Sequence, residues 1–267
     1  MALVRAGEVE LSYERTGSGP PLLLIMGMSG TALHWGEPFL ELLRTDFEVI
    51  VYDHRGVGQS TPLHGEVTIA QMAEDAAGLL GALEIDSAHV VGISMGGMIA
   101  QELALAHPER VRTLTLGGTY AGGEGSSLTS PEVLERLIEA MLSGDRERAL
   151  RVGWEANIAA GMVDDAAAYA RFLDVAQQYA VAVPVIMAQM QACVAHDTNT
   201  RLGELEMPTL VIHGTEDQML PVENGRLIAE RVPGAQLEIL DAIGHLFFWE
   251  QPERSAELVR AHARVPA

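Results

Sequence analysis

Short, nearly uninterrupted apolar runs recur along the chain, separated by stretches in which apolar residues return every three or four positions. The runs are Pro21–Met26 (PLLLIM), Glu48–Asp53 (EVIVYD), Ala88–Ile93 (AHVVGI), Arg112–Gly117 (RTLTLG), Thr209–Gly214 (TLVIHG) and Gln236–Asp241 (QLEILD). A strand that is apolar on both sides belongs in a sheet covered on both faces. Strands alternating with helices are joined by crossovers, which makes such a sheet parallel. The spacing predicts helices over Leu33–Arg44, Thr68–Leu83, Met95–His107, Val222–Val232 and Pro252–Ala263. Glu8–Arg15 behaves differently. It alternates and runs into Thr16-Gly17-Ser18-Gly19-Pro20, which predicts an antiparallel edge strand followed by a turn.

The rhythm breaks once, between the run ending at Gly117 and the one starting at Thr209. An ordinary crossover takes about 20 to 30 residues, and this stretch is several times longer. Helical patterns fill it near Ser130–Leu142, Asp145–Ile158, Asp164–Tyr179 and Val181–His196. The expectation is a sheet domain formed by residues 1–118 and 204–267, with a helical cap, 119–203, inserted into it.

Composition narrows the chemistry. With 48% hydrophobic and 20% charged residues, the chain of 267 residues can bury a core. Its formal net charge of −20 repels phosphate backbones and anionic lipid, so neither nucleic acid nor membrane is an expected partner. All 17 basic residues are arginine. The absence of lysine removes Schiff-base catalysis, pyridoxal phosphate anchoring and the P-loop lysine together. Cys193 is the single cysteine, so no intrachain disulfide and no thiolate zinc cluster can form. Met1–Gly17 lacks an apolar core of signal-peptide length, and Ala180–His196 is too short and too polar to span a bilayer. A cytoplasmic location is expected.

The sharpest chemical signal is Gly92-Ile93-Ser94-Met95-Gly96-Gly97, between the run AHVVGI and the helical pattern MIAQELALAH. A serine between small residues at a strand-to-helix turn sits in a tight bend that lifts its hydroxyl off the sheet edge. The following helix aims its first amides and its positive end at the same place. A second motif, Asp53-His54-Arg55-Gly56-Val57-Gly58-Gln59-Ser60, follows the run EVIVYD.

With these two motifs, the long insertion and a late histidine, nearly the whole chain resembles the α/β-hydrolase family. The resemblance implies an α/β fold: an eight-stranded, mostly parallel sheet with an inserted helical cap. It also implies the chain order nucleophile, acid, histidine, here Ser94, Asp217 and His245. Serine needs a base to remove its proton, and His245 follows the last run on a loop expected at the same sheet edge. The imidazole needs an acidic partner. Asp217 stands where the family keeps that acid, in Gly214-Thr215-Glu216-Asp217, with Glu216 as its rival. His213 is expected to be structural. For the oxyanion hole the resemblance supplies the amides of Met28 and Met95. The chain departs from the common His-Gly pattern there, having Met26-Gly27-Met28-Ser29-Gly30; amides donate whatever the side chain, so the hole survives.

Other features change little. His54 beside Asp53 has no metal-ligand spacing around it, and Gly92, Gly96 and Gly97 lack the downstream acid of a dinucleotide loop. No metal and no cofactor are expected. In the last cap helix Val183, Met187, Met190 and Val194 fall on one stripe with no charge nearby. Met26, Trp35, Met187 and Met190 are therefore the expected walls of an apolar substrate pocket. The expected activity is cofactor-free serine hydrolysis of small, apolar carboxylic esters or lactones through an acyl-enzyme. GISMGGMIAQELALAHPERV resembles enol-lactonase-like and small esterase members most. The same triad also serves carbon–carbon bond hydrolases of dienoic diketones and cofactor-free perhydrolases (non-haem haloperoxidases), which stand as alternatives.

Overall fold

A computed structural model of the chain describes residues 1–265. Among them, eight strands form one sheet: β1 (Ala2–Ala6), β2 (Val9–Gly17), β3 (Pro21–Ile25), β4 (Glu48–Tyr52), β5 (Ala88–Ile93), β6 (Val111–Gly117), β7 (Thr209–Gly214) and β8 (Gln236–Leu240). Their order across the sheet is β1-β2-β4-β3-β5-β6-β7-β8. From β4 to β8 all neighbours are parallel; β2 runs antiparallel to both β1 and β4. The expected edge strand is thus one position in from the edge. The outer place belongs to β1, which Gly7 (φ 60°) turns back so that Ala6 pairs with Val9. Five residues with Leu3 half in solvent carry too little pattern to stand out in the sequence.

Helices cover both faces. Alternate residues of β3 enter different cores, as the strand's two-residue period requires. Leu23 and Ile25 pack with α2 (Ile69–Ala82) and α3 (Met95–Ala106), whereas Leu22 and Leu24 pack with α1 (Glu37–Arg44) and α10 (Pro252–Ala263). α1 starts later than the periodicity suggests. Ala32–Trp35 forms a separate 3₁₀ turn, and Gly36 at φ 74° breaks the chain before α1 begins.

Between β6 and β7 lie α4 (Pro131–Leu142), α5 (Arg146–Asn157), α6 (Ala166–Ala176) and α7 (Val183–Ala195). This inserted cap straddles the sheet. Ala188 and Ala192 of α7 join the α2/α3 core, while Trp154 of α5 and Phe172 of α6 join the α1/α10 core. There Trp154 meets Phe172 and Trp249 at centroid distances of 5.3 and 6.5 Å. The remaining helices are α8 (Glu223–Arg231), the short α9 (Phe247–Glu250) and α10. Among the described residues no helix is long and apolar enough to cross a membrane.

Candidate active site

The loops leaving the ends of β3, β5, β7 and β8 meet at one edge of the sheet. Ser94 sits where β5 turns into α3, with φ 55° and ψ −124°. For a non-glycine residue such a backbone costs about 1–3 kcal/mol and persists only where the surroundings dictate it. They do so by close approach. A Cβ on Gly92 would lie 2.2 Å from the Gly96 carbonyl oxygen, and one on Gly96 would lie 1.9 Å from that of Ile25. The bend is also pinned on both sides: the Ser94 amide donates to Gly117 O at 2.9 Å, and Thr119 Oγ1 donates to Ser94 O at 2.7 Å. Ser94 itself stays half-buried.

Asp217 follows β7 by a three-residue step and is held on every side. Its Oδ1 accepts the amides of Met219 and Leu220, each at 2.9 Å, which folds the loop around it. Its Oδ2 lies 2.7 Å from His245 Nδ1 and 3.2 Å from His213 Nε2. All three side chains are essentially closed to solvent. Burial alone would raise the Asp217 pKa; the charge of His245 and the hydrogen bonds from His213 and His245 outweigh it and hold the carboxyl well below its usual range. A carboxylate only accepts, so His245 carries its hydrogen on Nδ1 and leaves Nε2 free as a base. His213 Nε2 is 2.8 Å from the Leu220 carbonyl, so it too is a donor, shared between that oxygen and Asp217.

Glu216 points elsewhere: its Oε2 accepts the amide of Ala160, in the cap, at 2.9 Å. Gly118 joins the pieces. It directly follows Gly117, the acceptor of the Ser94 amide, and a Cβ on it would come 3.0 Å from His245 Nδ1 and 3.1 Å from Asp217 Oδ2. The loop before His245 is fixed by Glu250, whose Oε1 accepts the amides of Gly244 at 2.8 Å and Ala159 at 3.2 Å.

Met95 is the first residue of α3, and the first amides of a helix have no acceptor within it. Met28 lies on the loop after β3, held at several points. His54 Nε2 donates to Met26 O at 2.8 Å, and the Ala32 amide donates to Asp53 Oδ1 at 2.8 Å. The Asp53-His54 pair thus serves as a brace for this loop. Between these anchors, the Ser29 amide donates to Gln189 Oε1 of α7 at 2.9 Å.

A family model described as alpha/beta hydrolase fold matches residues 20–151 and 187–252. The chain belongs to the α/β-hydrolase fold family. Its unmatched interval, 152–186, falls inside the cap. This α/β hydrolase is 33% identical over 265 residues, 97% of each chain, to a protein named putative carbamate hydrolase RutD from Azorhizobium caulinodans. It is also 33% identical over 245 residues, 90% of this chain and 82% of the other, to a poly(3-hydroxyalkanoate) depolymerase of Ectopseudomonas oleovorans. The crystal structure of the enol-lactonase from Burkholderia xenovorans LB400 superposes with a TM-score of 0.83 at 26% identity, covering 98% and 99% of the two chains.

The four residues expected to wall a substrate pocket fall in different surroundings. In this hydrolase Met26 and Trp35 are 3% and 1% exposed and pack in the α1/α10 core, where Trp35 also lines a cleft. Trp35 stacks there on Phe39 and tilts against Phe248. α7 turns Val185, Ala188, Gln189 and Ala192 inward; Met187 is 39% exposed and Met190 half-buried. The helix is apolar nearly all round, so periodicity could not choose its buried face. Tertiary contacts choose it, Gln189 on the Ser29 amide among them. A cleft of about 200 Å³ beside the aromatic cluster, lined by Trp35, Phe39, Met162, Arg171, Phe248 and Trp249, includes none of Ser94, Asp217 or His245 in its walls.

Sequence reasoning also missed Glu250 and Gln189, and it gave His213 no contact with the acid. The available signals were slight: a polar residue in an otherwise apolar helix, and a histidine next to Gly214 at a strand end. Among the described residues no cluster of three His, Cys, Asp or Glu has the geometry to hold a metal ion.

Proposed function

We propose that this α/β hydrolase is a cofactor-free serine hydrolase of carboxylic esters or lactones, with Ser94, His245 and Asp217 as its catalytic triad. The reading rests on one observation above all: the buried His245–Asp217 pair at 2.7 Å, backed against the same Gly117-Gly118 segment that pins the strained turn at Ser94. Ser94 Oγ attacks the carbonyl carbon as its proton passes to His245 Nε2. The amides of Met28 and Met95 stabilise the resulting oxyanion. His245 then gives the proton to the leaving oxygen as its bond to carbon breaks, which yields an acyl-enzyme. A water molecule, losing its proton to His245, attacks the acyl group; collapse of the second oxyanion returns the proton to Ser94 and releases the acid.

The cap, residues 119–203, bounds the site opposite the sheet, and its contact with Ser29 supports that role. Three of its relatives, named a putative carbamate hydrolase, a poly(3-hydroxyalkanoate) depolymerase and an enol-lactonase, have names that describe cleavage next to a carbonyl carbon. Those three names favour acyl transfer, while other relatives named a putative non-heme bromoperoxidase and a 2-hydroxy-6-oxononadienedioate hydrolase match both alternatives. The test is a panel of p-nitrophenyl esters, an enol-lactone, an N-unsubstituted carbamate and a dienoic diketone, assayed with wild type and Ser94→Ala. Ester or lactone turnover that disappears in Ser94→Ala supports the reading. Turnover confined to the diketone would move the activity to carbon–carbon cleavage.

A further inference from the structure

We propose that Gln189 is a positioning residue for the oxyanion hole, so that the cap takes part in catalysis by holding the loop that carries Met28. The inference rests on the serine-hydrolase reading and concerns a residue outside the triad.

The loop from Met26 to Ala32 is anchored by the sheet domain at its two ends, through His54 and Asp53. In its middle the Gly30 amide reaches Gly27 O at 3.4 Å, a long bond that closes a turn over Met28 and Ser29. Ser29 has φ 58°, a left-handed backbone that disfavours a residue with a Cβ. The Ser29 amide finds its acceptor in Gln189 Oε1, 160 residues further along the chain. Ser29 is the residue next to Met28, and consecutive Cα atoms are about 3.8 Å apart. The Met28 and Ser29 peptides meet at the Met28 Cα, so a held Ser29 N–H restrains the backbone on which the Met28 N–H is carried, and a donor must point at the developing oxyanion to be effective. The Met95 amide needs no such help, because α3 fixes it.

The second observation is what Gln189 costs. Its side chain is fully buried, and Nε2 has no hydrogen-bond partner. The amide orientation is fixed, because the Ser29 N–H can only donate to Oε1. A buried donor without an acceptor destabilises the fold. Methionine has similar length, fills the same space and carries no unpaired donor, so it would suit the packing better. Ser29, half-buried, would then be left to pair its amide with water. Glutamine at this position is a poor choice for stability and a good one for holding Ser29.

That conflict gives a crossed test. Steady-state turnover of p-nitrophenyl acetate and thermal midpoints are measured for wild type, Gln189→Met, Gln189→Glu and Ser94→Ala. Gln189→Met is expected to lose ten- to a hundredfold in both kcat and kcat/KM, with KM moving less than threefold and Tm equal to or above wild type. Gln189→Glu keeps an oxygen for Ser29, so it recovers most of the lost kcat while its buried carboxyl lowers Tm. A purely structural residue would lose stability and activity together. Gln189→Met turnover within twofold of wild type, or a kcat loss that tracks Tm in both variants, overturns the inference. Ser94→Ala separates the levels. If it is inactive while Gln189→Met is fully active, only the Gln189 inference fails; if it turns over normally, the nucleophile reading fails and the inference with it.

Discussion

The turn at Ser94 and helix α7 both border the proposed site, yet they are fixed by opposite means. The turn is over-determined by short-range sterics: glycines at 92 and 96 have no room for a Cβ, and a hydrogen bond on each side pins Ser94. Its geometry follows from the segment 92–96 packed against β3 and pinned by Gly117 and Thr119 at the end of β6. α7 is under-determined by its own sequence, since apolar side chains surround it. Its inward face is held by contacts far away in the chain: Ala188 and Ala192 in the core, the Tyr120 hydroxyl on Cys193 O, and Gln189 on the Ser29 amide. Local crowding makes a part whose role can be read in a motif; long-range contacts make a part whose buried face no local pattern reports.

The largest effect expected on the side of the turn comes from the acid. Asp217→Asn keeps the shape but lets His245 take the wrong tautomer, and a loss of about four orders of magnitude in kcat is expected. Glu216→Gln should stay within about twofold of wild type, because its contact is to the Ala160 amide and an amide oxygen can still accept there. Stopped-flow or steady-state rates on one short ester decide between them, and a more harmful Glu216 change would move the acid role. On the α7 side Gln189→Met sits in the middle of the scale, as argued above. The smallest effect belongs to Met187→Ala. With Met187 on the exposed side of α7, stability should change by no more than about 0.5 kcal/mol, and the acyl-length preference should not move. A graded series of acyl esters checks it; a shifted optimum would make the outward stripe part of the substrate wall.

The same contrast explains what could be read in the sequence. The core strands, the helical insertion and the elbow were legible because each is written in contiguous residues: continuous apolar runs, 3.6-residue periods, and a serine flanked by glycines. Asp217 and His245 stand just past β7 and β8, so knowing the strands gave their place at the sheet edge. β1 was missed because five weakly patterned residues do not announce a strand. The inward face of α7 was misjudged because counting apolar residues favours the methionines, whereas the buried hydrogen bond to Ser29 favours Gln189. Met26 and Trp35, expected at a pocket, belong to the α1/α10 core, and Trp35 also lines the cleft beside it. The braces His54 and Glu250 bond to groups 28 and 91 residues away, distances no local pattern reports, whereas His213 meets Asp217 only across its own loop.

The central claim is that Ser94, held in its strained turn, is the nucleophile. Its most direct test is reaction with a serine-directed fluorophosphonate, followed by peptide mass mapping. The account predicts one stoichiometric adduct on Ser94, formed in step with loss of esterase activity, and slow or absent in His245→Ala, where no base remains to take the proton. An adduct on another residue, or full inactivation with Ser94 unmodified, would contradict it.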